Sequence, residues 1–102
     1  MAATPEAKVK DKIKAYLKTL ADCFFFSPIG GPFTQAGIPD IVVCLKGKFV
    51  GIEVKAPGKV KNTTKSQNYV LECIRNSGGV SFVADSVDTV KTQLFLAGLV
   101  VP

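Results

Sequence analysis

Asp40, Glu53 and Lys55 are the residues of this sequence whose types and spacing suit chemistry. Asp40 closes the segment Gly37-Ile38-Pro39-Asp40, and Ile52-Glu53-Val54-Lys55 begins twelve residues further on. In a strand, side chains alternate between faces, so Glu53 and Lys55 point the same way while Val54 points into the core. If the two segments form a hairpin about Gly47, Asp40 stands seven residues before the glycine and Glu53 six after it, roughly level with each other. Two carboxylates and an ammonium group then converge. Such a cluster suits a hard divalent cation, because Mg²⁺ takes one or two carboxylates together with water and phosphate oxygens. The lysine would orient or help deprotonate an attacking water and offset charge building on phosphorus, with the metal polarising the phosphate. The same three residues also suit a cross-strand ion pair on an exposed sheet face, and residue types alone leave both readings open.

The elements around these residues follow from local pattern. Thr4-Pro5-Glu6 is a helix start, with Thr4 as cap and Pro5 at the first helical position. Val9, Ile13, Tyr16, Leu17 and Leu20 recur at helical spacing and predict an amphipathic helix from Pro5 to Ala21. Cys23 to Phe26 is a short strand, with Phe24 to Phe26 expected in the core, followed by a turn-rich loop through Ser27 and Gly30-Gly31. Asp40 to Leu45 and Phe49 to Lys55 pair as a hairpin across Lys46-Gly47-Lys48. Thr64-Lys65-Ser66-Gln67 fits a capping box that starts a helix running to about Asn76, with Tyr69 or Val70, Cys73 and Ile74 buried. Val80 to Ala84 is a further strand, and Ser86 caps a closing helix marked by Val87, Val90, Leu94 and Ala97. The apolar end, Leu99-Val100-Val101, suits either a dimer contact or the domain's own sheet.

Composition bounds what this arrangement can do. A chain of 102 residues allows one core and one site, so residues 1–102 are expected to form a single domain. No apolar run reaches the length of a membrane span and no signal-peptide pattern opens the chain, so a cytoplasmic protein with no membrane association is expected. The absence of histidine removes Ser-His and Cys-His nucleophiles and histidine-bound zinc. Cys23, Cys44 and Cys73 have no metal-ligand spacing and are expected as small buried apolar residues. The net charge of +5 is one-sided: residues 1–65 carry eleven lysines against five acids, and residues 66–102 carry two basic groups against three acids. That asymmetry fits a polyanion, nucleic acid first, or a merely solvated lysine face.

Gly37-Ile38-Pro39-Asp40, then Ile52-Glu53-Val54-Lys55-Ala56-Pro57, then Gln67 at a helix start, resembles the PD-(D/E)XK nuclease superfamily and, within it, the VRR-NUC family. The likeness covers nearly the whole chain. It implies an α/β, restriction-endonuclease-like αβββαβ core, a mixed central sheet flanked by helices. It also implies divalent-metal-dependent DNA cleavage with Mg²⁺ or Mn²⁺, by homodimers able to cut branched DNA such as Holliday junctions, in a bacterial or phage-infected host cell. Carried over residue by residue, Asp40 and Glu53 match the metal-binding acids, the Val54 carbonyl a further ligand, and Lys55 the catalytic lysine. Gln67 matches the family's helix glutamine, alongside its capping-box role, and Glu6 matches an acid on the first helix, alongside a favourable charge in a first turn.

Lys59, Lys61 and Lys65 lie just past the Glu-x-Lys strand and are the first expected phosphate contacts, with Lys8, Lys10 and Lys12 second. No recognition-helix or aromatic RNA-binding pattern is present, so recognition by shape is expected over base readout. Two other functions remain compatible with the sequence. One is a catalytically silent DNA-binding module of the same fold, and the other is a small interaction domain with no DNA affinity.

Overall fold

The turn between the two central strands sets the geometry of the sheet. In the computed structural model, which describes residues 3–102, Lys46 and Gly47 have φ of 52° and 81°, the backbone of a type I′ turn, whose twist matches that of the strands it joins. Leu45 therefore pairs with Lys48, and the antiparallel register runs on through Val43 with Val50 to Ile41 with Ile52. The loop is thus the two residues Lys46-Gly47, and Lys48 belongs to the second strand.

The element order is α1 (Pro5–Leu17), β1 (Cys23–Phe26), β2 (Ile41–Leu45), β3 (Lys48–Val54), α2 (Lys65–Asn76), β4 (Val80–Ala84) and α3 (Val87–Leu96). The sheet order is β1-β2-β3-β4. The first two pairings are antiparallel, and β3 with β4 is parallel, with α2 as the crossover. This is the mixed sheet flanked by helices that the sequence predicts.

One face of the sheet is closed. Val9, Ile13 and Leu17 of α1 and Val90 and Leu94 of α3 pack over Ile41, Val43, Leu45, Val50, Ile52, Val54, Phe82 and Ala84 to form the core. The other face is only partly covered. Helix α2 lies over β3 and β4, leaving the outer strands bare, so Phe24 (68% exposed), Phe26 and Phe49 all show large apolar surface. Strand alternation explains the correction at Phe24 and Phe26: Phe25 turns to the core, and its two neighbours turn to the uncovered face. Cys44, paired with both Phe24 and Phe49, shares that face and is exposed, while Cys23 and Cys73 are half-buried, so the three cysteines are free but not all buried.

Other boundaries also shift. Helix α1 ends at Leu17, because Thr19 and Leu20 fold back on Tyr16 and Leu17 in successive tight turns. Leu20 still reaches the core from outside the helix, which is why its spacing resembles helical continuation. In α2 the buried residues are Val70 and Leu71, and Tyr69 is exposed. At the C-terminus Leu99 and Val100 pack against the domain's own core, and Val101 projects into solvent. Among the described residues no helix is long and apolar enough to cross a membrane.

Candidate active site

The segment 37–40 is built to deliver one carboxylate. Gly37 has φ of 85°, and a Cβ there would collide with the backbone carbonyl of Ser66, so only glycine lets the chain pass against the first turn of α2. Pro39 is buried over Gly51, where a side chain would meet Pro39 Cγ at 3.0 Å and Ile74 Cδ1 at 2.7 Å. The mid-strand glycine thus marks a close approach. Asp40 follows directly, and its Oδ2 accepts the Val54 backbone N–H at 2.8 Å. The side chain supplies the acceptor for β3 where the regular ladder with β2 has ended, and this fixes its orientation. Continuing the register one step beyond Ile41 and Ile52 sets Asp40 directly opposite Glu53.

Glu53 is 3% exposed, a carboxylate held under α2. Gln67 joins it to the lysine. Its Nε2 donates to Glu53 Oε2 at 2.8 Å, and its Oε1 accepts the Thr64 N–H at 2.9 Å and the Lys55 ammonium at 3.2 Å. Thr64 N–H and Lys55 Nζ are donors only, so the amide oxygen must face them and the NH₂ must face the carboxylate. The capping box is also complete, with Thr64 Oγ1 accepting the Gln67 N–H. One amide thus caps the helix and bridges Glu53 to Lys55. Lys55 Nζ lies 3.6 Å from Glu53 Oε2, and both side chains are largely buried.

This arrangement holds an excess of negative charge in a place with little water. Burial first, then the charge of Asp40 and a hydrogen bond to it, raise the Glu53 carboxyl to about 7 against the opposing effect of Lys55. The ion pair therefore does not offset the cost of setting two carboxyls together. That imbalance fits a hard cation placed between the acids. Among the described residues no cluster of three or more acidic, histidine or cysteine side chains occurs, so an ion here would have two carboxylates as its side-chain donors and would keep several waters.

The remaining candidates lie elsewhere. Glu6 is exposed in the first turn of α1, where it complements the helix dipole. It makes no hydrogen bond or ion pair with Asp40, Glu53, Lys55 or Gln67 among the described residues, so the structure does not bring it into the cluster. Lys59 and Lys61 stand exposed on the connection from β3 to α2, and Lys65 is exposed at the first position of α2. That connection is pinned by Asp85, whose Oδ2 accepts the Gly58 N–H at 2.8 Å. Lys8 and Lys12 are exposed on α1, and Lys10 is half-buried there. Ser27, at the root of the loop after β1, carries a buried hydroxyl with no hydrogen-bond partner among the described residues. Sequence reasoning missed Gly51 and Pro39 as positioning residues, although a glycine inside a strand is itself a signal of close packing. It also missed Asp85, for which no local pattern gives notice.

No family model matches the chain, and no curated protein matches it. Two solved structures do resemble it. One, described as a VRR_NUC domain, is 28% identical, superposes with a TM-score of 0.69, and aligns over 92% of this chain and 97% of its own. Another, described as a VRR_NUC domain protein, is 18% identical with a TM-score of 0.71, covering 93% of this chain and 92% of its own, and supports the fold alone. The helix, three-strand meander, crossover helix and parallel strand are the common frame, and Asp40, Glu53, Lys55 and Gln67 come together on it in the motif order that resembles the same family from sequence. In fold, and in the order in which these residues meet, the chain is similar to VRR_NUC domain proteins.

Proposed function

We propose that this protein is a divalent-metal-dependent endonuclease that hydrolyses phosphodiester bonds in branched DNA, Holliday junctions included. The observation that carries the reading is the joining of Glu53 to Lys55 through Gln67 beside an Asp40 held by the Val54 N–H, with the Glu53 carboxyl raised to about 7 by burial and by Asp40. Asp40, Glu53 and the Val54 carbonyl would hold Mg²⁺ or Mn²⁺, and the ion would supply Lewis acidity toward the phosphate and a lowered pKa for bound water.

The chain's own residues do the rest. Val54 N–H holds Asp40 in one rotamer, so the carboxylate is already oriented when substrate arrives. Gln67 fixes the Glu53 carboxylate and the Lys55 ammonium relative to each other. Lys55 offers N–H donors to the attacking water and to oxygen charge developing at phosphorus. In the step, the water oxygen bonds to phosphorus, the bond from phosphorus to one deoxyribose oxygen breaks, the water's proton passes to solvent or a nearby base, and the departing oxygen takes up a proton from solvent to leave as a hydroxyl. Lys59, Lys61 and Lys65 hold phosphates near the cut, with Lys8, Lys10 and Lys12 as a second set.

The assembly proposed is a homodimer, which suits paired cuts in a two-fold substrate. The bare apolar strip of Phe24, Phe26, Cys44 and Phe49 supports pairing, since it is apolar surface on the sheet that no helix covers. Light scattering checks it: a dimer that Phe24→Glu splits is expected, and a monomer at micromolar concentration would count against it. For the activity, the protein is mixed with Mg²⁺ or Mn²⁺ and labelled four-way junction, flap or duplex DNA. Cleavage that needs both the metal and Lys55 is expected, and strand integrity at every metal concentration would sink the nuclease reading.

A further inference from the structure

The loop from Ser27 to Pro39 carries the most exposed apolar side chains of the molecule. Phe33 is fully exposed and Ile29 is 90% exposed. Yet the loop is locally ordered. Pro32 and Phe33 form the middle of a turn closed by Thr34 N–H donating to the Gly31 carbonyl at 3.1 Å, and the Thr34 hydroxyl reaches the Ile29 carbonyl at 3.3 Å. Proline is favoured at the second position of such a turn because its φ is already set, which places Phe33 at the apex. At its other end the loop is held by Gly37 against α2 and by Pro39 over Gly51. Between the loop and Asp40 lies a cleft of about 390 Å³, lined by Pro28, Thr34, Gln35 and Gly37 among others.

A single exposed apolar residue needs no explanation. Here two flank one turn, and Phe33 stands seven positions before Asp40, so their Cα atoms are at most about 25 Å apart. Long loops of this kind carry function more often than not. In continuous duplex DNA each base is stacked on its neighbours and offers no free apolar face. Where strands part, an unpaired base offers a face on which an aromatic side chain can stack whatever its sequence. We propose that Phe33, flanked by Ile29, stacks on an unpaired base where DNA strands diverge, and that the cleft beside Asp40 receives a neighbouring nucleotide. The inference rests on the nuclease reading for its substrate class and names the residue that distinguishes branched DNA from duplex.

The test measures binding, with cutting blocked by Asp40→Asn. Anisotropy of labelled fork DNA is compared for forks carrying either a natural base or an abasic residue at each unpaired position in turn. At one position the base is expected to strengthen binding about tenfold over the abasic residue. Phe33→Ala should abolish that preference, Phe33→Trp should keep it, and duplex binding should stay within about twofold throughout. Phe33 is fully exposed, so its removal does not touch the core. An unchanged base preference in Phe33→Ala, or equal losses on fork and duplex, would overturn the proposal. So would a change of oligomeric state in Phe33→Ala with DNA binding intact, which would assign the ring to a second copy. Base preference without cleavage by the native protein would overturn the nuclease reading alone, and cleavage without base preference would overturn only the role of Phe33.

Discussion

The two faces of the sheet use the same strands for opposite ends. On the α1 and α3 face, Ile41, Val43, Val50, Ile52 and Val54 are sealed by apolar partners, and no polar group complicates the packing. On the α2 face, the alternate residues of β3 are Gly51 and Glu53: one is an empty space filled by Pro39 and Ile74, the other a buried carboxyl. The first face gains stability from every residue. The second gives some up, holding two carboxyls together with only one lysine between them. A strand buried on both sides can thus be divided by its two-residue period into a structural half and a chemical half.

The comparison can be broken from either side. Ile52→Ala should cost roughly 2–5 kcal/mol, the usual range for a large buried side chain cut to alanine. Urea unfolding measures it, and a cost below about 1 kcal/mol would show that the closed face is not what holds the sheet. Lys55→Met, two residues past Gly51–Glu53 on the other face, should lower cleavage about 100- to 1,000-fold, as loss of a buried charge-stabilising donor does. The same unfolding curve should move less than it does for Ile52→Ala, because Glu53 can take up a proton rather than stay buried as an unpaired charge. If stability collapsed instead, Lys55 would be structural. Gly51→Ala falls between the two: crowding Pro39 should cost about 1–3 kcal/mol, and it should lower cleavage as well, because Asp40 follows Pro39. Intact cleavage in a destabilised Gly51→Ala protein would uncouple the proline from the carboxylate.

Protonation sharpens the contrast further. A carboxyl raised from its usual 4.5 to about 7 keeps its proton in the folded state while the unfolded chain gives it up. The folded state then binds more protons across that interval, so metal-free stability falls as pH rises from about 4.5 to about 7 and levels off above it. Glu53→Gln should flatten that slope, as read by thermal melts across pH, whereas Ile52→Ala should lower the whole curve without changing its slope. The smallest effect is expected from Gln67→Glu. The new carboxylate still accepts the Thr64 N–H, so the helix start survives, but it cannot donate to Glu53, whose pKa should climb further. Cleavage lost with little change in stability would separate the two duties of this residue.

How much of this was visible beforehand depends on the reach of the pattern. The hairpin, the capping box and the shared face of Glu53 and Lys55 are local features, and they are where the sequence put them. The level placement of Asp40 and Glu53 followed from counting about a glycine turn. What was not visible rests on contacts between distant segments. Nothing near Phe24 tells that α2 stops short of β1, and nothing near Leu20 separates a continued helix from two folded-back turns. Leu71 was passed over beside Val70 because which of two adjacent apolar residues turns inward depends on where the helix sits on the sheet. Glu6 matches a family position, but its helix packs on the opposite face from α2, and a matching residue type does not carry a contact with it.

The type I′ turn at Lys46-Gly47 has a consequence for how such a site tolerates change. Asp40 and Glu53 lie six residues from it on either side, about 20 Å away at the rise of an extended strand, yet their register is counted from it. One residue inserted or deleted in the loop would slide β2 along β3 and bring Pro39 or Ile41 opposite Glu53 in place of Asp40. The turn acts as the origin of a ruler, so length changes that a surface loop ordinarily absorbs would here act as lesions in the carboxylate pair. The hairpin is also the most sequence-local pairing in the sheet. Closing it early in folding would align the two acids before the helix that carries Gln67 has docked.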